Sequence, residues 1–73
     1  MTAEEYRDAI AALGLTPKGA ARFLGIDEET SREWASAGAN GPPEPVSRFL
    51  RYLIAAGVTP RQVTETLVKG NEQ

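Results

Sequence analysis

An all-α fold, a compact bundle of about five short helices, is what this sequence predicts, and three observations carry the prediction. Apolar residues recur at i, i+3 and i+4 spacing in several segments, while no strand-like alternation of useful length occurs. Glycine and proline, 7 and 5 of the 73 residues, cut the chain into short pieces. Thr or Asp stands just before each of several helical patterns, where a side-chain oxygen can accept from the free amides of a first turn. A chain of 73 residues has room for one core, so a single domain over 1–73 is expected.

Taken in order, Thr2 with Glu5 three residues on forms a capping-box pattern. Tyr6, Ile10 and Leu13 then share one helical face that ends before Gly14. Thr16-Pro17 starts a second helix, since proline at the first helical position lacks only an N–H that would have no partner there. Ala20, Ala21 and Leu24 form its inward stripe, and Gly25 suits a left-handed stop. Asp27 reads as a third cap, with Glu28 and Glu29 complementing the helix dipole. That third helix carries Thr30 and Trp34 and is expected over about 28–37, with Trp34 in the core.

The Gly- and Pro-rich stretch 38–45 reads as a loop. Two C-terminal helices are expected over about 46–68. The first is the most strongly amphipathic, marked by Val46, Phe49, Leu50, Leu53 and Ile54; the second restarts at Thr59-Pro60 and carries Val63 and Leu67. Tyr52 falls one position off the inward face, and residues 69–73 make a frayed polar tail. Tyr52, Ile54, Val58, Val63 and Leu67 either finish the core or supply a dimer seam.

Composition narrows the function. Cysteine and histidine are both absent, which removes disulfides, the usual zinc and haem ligand sets, and Ser–His or Cys–His nucleophiles. Neither a cofactor, a metal nor an enzymatic activity is expected. No apolar run is long enough to span a membrane. The acidic N-terminus lacks the apolar region of a secretory signal, so a cytoplasmic protein is expected. Net charge is −2, the wrong sign for a generic polyanion binder.

The ordered run from Leu15 to Trp34 combines a Thr16 cap, Ala21 at the helix centre, Leu24-Gly25-Ile26, the Asp27 cap, and then Thr30 and Trp34. This run resembles the helix-turn-helix of the Cro/repressor-type (XRE-like) regulators, whose fold is lambda-repressor-like. Trp34 to Gly38 and Pro45 to Leu53 look like the small bacterial and phage members of that group, so the likeness covers about residues 3 to 68. It implies a motif over about 16–37 in a DNA-binding transcription regulator, a repressor, whose helix at about 28–37 reads the major groove. The partner implied is double-stranded DNA, as an inverted repeat bound by a homodimer, because paired half-sites multiply weak affinities. Carried onto this chain, the DNA interface is Thr16 and Lys18 toward phosphate, Asp27, Glu28, Glu29 and Glu33 toward the bases with Arg32 beside them, and Ser36 on the same surface.

Those reading positions hold four carboxylates where the family usually places neutral polar or basic residues. An ionised Glu can accept from cytosine N4, but each carboxylate also repels phosphate. Pro17 stands where a phosphate-contacting Gln is common, and Ser31 where an apolar residue usually packs. The alternative is therefore an acidic protein-interaction module in which the same carboxylates meet a basic partner. Lys18 and Arg22 fit either phosphate contacts or solvated surface. Arg32 fits a base contact or an ion pair with Glu28 or Glu29. Arg48, Arg51 and Arg61 fit surface pairing with Glu44 and Glu65 better than a phosphate clamp.

Overall fold

The computed structural model describes the backbone of residues 1–71 and the side chains of residues 1–67. Five helices follow one another: α1 (Ala3–Ala12), α2 (Pro17–Leu24), α3 (Glu28–Trp34), α4 (Glu44–Ala56) and α5 (Pro60–Asn71). The described residues form an all-α bundle. No helix among them is long and apolar enough to cross a membrane.

Local chemistry sets most of the helix starts. Thr2 accepts from the Glu5 amide while the Glu5 carboxylate accepts from the Thr2 amide, a reciprocal capping box. Thr16 accepts from the Gly19 amide above Pro17. Thr59 and Gln62 repeat the reciprocal box at the start of α5. Between α2 and α3 the chain turns through Gly25 at φ 72°, a left-handed conformation that costs a side-chain-bearing residue about 1–2 kcal/mol.

The core is built where α1, α2 and α4 meet. Tyr6, Ile10, Ala20, Ala35 and Leu50 are buried together, with Leu13, Leu15, Leu24, Trp34 and Val46 packed against them. Tyr6, Ile10, Leu50 and Leu53 are the largest apolar contributors, each worth about 1.5–3 kcal/mol of transfer free energy. Trp34 is half-buried, standing edge-on to Tyr6 at 5.7 Å between ring centroids. The loop after α3 closes over the N-terminus at Gly41, where a Cβ would fall 2.2 Å from the Met1 carbonyl oxygen. Only glycine allows that approach.

Several sequence expectations need correction. The third helix ends at Trp34 and not near 37, because the backbone tightens there: the Ser36 amide donates to the Glu33 carbonyl and the Ala39 amide to the Ser36 carbonyl, and Gly38 sits at φ 85°. Arg7 donates to the Ala35 oxygen at 2.9 Å and Ser36 to the Arg32 oxygen at 2.8 Å. The loop gives way to α4 at Glu44, since Pro43 acts as the N-cap and Pro45 sits in the first turn, where its missing N–H costs nothing. At the other end α5 runs to Asn71, two residues past the expected start of the tail; residues 72 and 73 lie outside the described residues.

On α4 the buried line is Ser47, Leu50 and Leu53. Phe49, expected inside, and Ile54, expected either in the core or in a dimer seam, are 37% and 43% exposed, because both flank that line. Phe49 stacks on Phe23 at 5.9 Å.

Candidate nucleic-acid interface

The helix bearing most of the candidate residues is positioned by one buried polar cluster. Ser31 is fully buried on the inner face of α3. Its hydroxyl donates to the Pro17 carbonyl at 2.7 Å, which places α3 against the first turn of α2. A serine hydroxyl has a single proton, so the 2.7 Å bond to Tyr6 must run from the phenol to Ser31 Oγ. Three helices are thereby joined through one small side chain. Among the described residues, no buried side-chain polar atom lacks a partner. Burial pushes the Tyr6 phenol above its ordinary value. Arg7 of α1 holds the far end of α3 through the Ala35 carbonyl, a cation placed where the helix dipole is negative.

With Ser31 inward, the opposite side of α3 is left to solvent. Glu29, Arg32 and Glu33 are exposed, and Ser36 continues that line just past the helix end. Their spacing of i, i+3, i+4 and i+7 puts them on one face. Thr16 and Lys18 are exposed at the start of α2, and Arg22 on its last turn. The fold therefore collects Glu29, Arg32, Glu33 and Ser36 on one surface, with Asp27 at its N-terminal edge.

Two of the candidates, Asp27 and Ser36, differ from the sequence reading in what their side chains do, while Glu28 and Arg32 form the ion pair that reading left open. Asp27 has cap backbone geometry, but its carboxylate makes no capping bond and remains exposed. Glu28 is half-buried and pairs with Arg32 one turn on, so the one cation of this face is held by a carboxylate of the same helix. Ser36 spends its proton on the Arg32 carbonyl and can only accept from outside. Arg48 pairs with Glu44 at 3.2 Å and Arg61 with Glu65 at 3.1 Å, the surface pairing favoured from the sequence, whereas Arg51, expected to pair likewise, is exposed and makes no ion pair among the described residues.

Sequence reasoning missed the positioning role of Tyr6 and Arg7. Ser31 carried the one available signal, a polar residue on an inward helical position. No family model matches the chain, and neither a curated protein nor a solved structure does.

Proposed function

We propose that α2 and α3 form a helix-turn-helix and that the protein is a small DNA-binding transcription regulator, a repressor, acting on double-stranded DNA. One observation carries the reading: α3 presents an exposed face, Glu29, Arg32 and Glu33, continued by Ser36 just past its end, on a helix fixed to α2 by the Ser31–Pro17 bond. In such a unit the second helix enters the major groove while the start of the first meets the backbone. Thr16 and Lys18 supply the phosphate contacts, with Arg22 beside them, and Glu29 and Glu33 are acceptors suited to cytosine N4. Two copies on an inverted repeat multiply the modest affinity of one acidic module.

The test is an NMR titration of labelled protein with the duplex upstream of its own gene and with generic duplex, at about 50 and 200 mM salt. Shifts on residues 16–18 and 27–36 that weaken with salt and vanish for scrambled DNA are expected. Silence toward both duplexes at low salt would overturn the reading.

A second reading, an acidic surface that docks a basic protein, is favoured by the Glu28–Arg32 pair, which neutralises the only cation on the α3 face. Replacing Glu28 and Glu29 with Gln separates the two. A groove reader gains duplex affinity as Arg32 is released, whereas an acidic docking surface loses its partner.

A further inference from the structure

The aromatic side chains divide between two places. Tyr6 and Trp34 meet edge-on at the core. Phe23, Phe49 and Tyr52, the remaining aromatic residues, stand where α2 meets α4. Phe23 is half-buried and stacks on Phe49 at 5.9 Å with the ring planes 21° apart. Along α4, Pro45, Phe49, Tyr52 and Ala56 follow at i, i+4, i+7 and i+11, the spacing of an apolar stripe that packs against another element. All four are exposed, Tyr52 at 64%. The stripe is about 16 Å long and lies well around the helix from the buried Ser47, Leu50 and Leu53. The α4 helix is thus apolar on two sides and covered on one.

Charge distinguishes the uncovered side. Lys18 and Arg22 are the charged residues of α2, and Arg48 and Arg51 face only Glu44 in the composition of α4. The acidic residues collect instead on α1 and around α3. Arg22 follows Gly19 on the outer side of Phe23, and it makes no ion pair among the described residues. Arg48 stands one turn before Tyr52, and its bond to Glu44 is an exposed pair that water screens. A chain of net charge −2 therefore sets its exposed aromatic stripe between cations.

We propose that this α2–α4 surface docks an acidic amphipathic helix of a partner protein, apolar side chains covering Phe49 and Tyr52 while carboxylates meet Arg22 and Arg48. Charge complementarity selects that occupant. A two-fold axis through the stripe would lay Arg48 against the same basic side of a second copy, so like charges would meet. A nucleic-acid strand carries a charge at every residue and would run on toward the carboxylates of α1 and α3. It would also want free ring faces for its bases, and Phe23 and Phe49 already spend one face each on the other. A peptide places charge only where its sequence does, and three turns of helix match the length of the stripe. Docking here is independent of the DNA reading.

NMR titration of the labelled full chain without DNA tests it. The probes are peptides of about 12 residues with Leu or Phe at i, i+3 and i+7 and Asp or Glu elsewhere. Shifts are expected on residues 22–23 and 45–56, weakening as salt rises from about 50 to 200 mM. Tyr52→Ser should weaken binding about tenfold or more, and Arg22→Gln several-fold, at unchanged helical circular dichroism. Leu67→Ser removes an equally exposed side chain from α5 and should leave binding unchanged. Peptides with Asn and Gln in place of the acids should not bind. Silence at millimolar peptide, indifference to Tyr52→Ser, or equal binding of the amide peptides overturns the proposal. Tighter binding of a single-stranded oligonucleotide at the same residues overturns it as well, and makes the stripe a nucleic-acid platform.

Discussion

Ser31 holds three helices through two hydrogen bonds, and the cost of losing it is set by what it leaves behind. Ser31→Ala strands the Tyr6 hydroxyl and the Pro17 carbonyl contact in a buried setting, a loss expected at about 1–3 kcal/mol in urea denaturation. Tyr6→Phe removes the orphan, so it should cost less in the Ser31→Ala background than in the wild type. A coupling of about 0.5–3 kcal/mol is the expected reading of that cycle, and strict additivity would contradict the network. The same phenol gives an alkaline signature. Its folded-state value is raised by burial, so its contribution is fully present below the ordinary value of 10.0 and is lost as pH rises through the raised one. Stability measured against pH should therefore fall more steeply for the wild type than for Tyr6→Phe on that limb. The polar position at 31 was visible in the sequence, but its partner was not. Tyr6 lies 25 residues earlier, and periodicity says only that both point inward.

At the scale of the element, helix starts were legible because capping is local. Thr2, Thr16 and Thr59 each act within three residues of themselves, so the sequence contains both partners. Helix ends and flanks depend on distant groups. The end of α3 is held in part by Arg7, 28 residues away from the carbonyl it holds, and the exposure of Phe49 depends on what α2 leaves uncovered. Two substitutions separate a working cap from an apparent one. Thr16→Ala should cost about 0.5–2 kcal/mol in thermal or urea unfolding, while Asp27→Ala, with no capping bond to lose, should fall below that range. A cost at Asp27 equal to that at Thr16 would mean that its carboxylate does cap α3. The α1 box adds a pH dependence of opposite sign to that of Tyr6. Bonds from the Thr2 amide and hydroxyl hold the Glu5 carboxyl below its ordinary 4.5. Its contribution is thus present above 4.5 and is lost as pH falls through the lowered value. Glu5→Gln should flatten that acid limb in a pH series of unfolding midpoints.

For the whole molecule, the decisive quantity is charge against surface placement. Sequence composition exposed the conflict, a net charge of −2 on a chain that otherwise resembles a DNA reader. Which charges remain available could not be read until the side chains were placed. Arg32, Arg48 and Arg61 are each matched to a carboxylate on their own helix, and Arg7 is committed to a carbonyl. Lys18 and Arg22 of α2 make no ion pair among the described residues, and they lie on the helix that meets phosphate in the proposed mode. If each contributes one phosphate contact in each half of a pair, about four counterions are displaced. The slope of log K against log salt is then about −3.6, or roughly 150-fold between 50 and 200 mM. Lys18→Ala removes one contact per copy and should reduce the slope by about 1.8, weakening all duplexes alike. Glu29→Gln should instead leave that slope nearly intact and alter which sequence is preferred, because Gln favours adenine where Glu accepts from cytosine. Fluorescence anisotropy across a salt series, with one matched and one scrambled duplex, measures both effects together. A Lys18→Ala variant with the wild-type slope would remove α2 from the backbone contact, and the orientation proposed for α3 would fall with it.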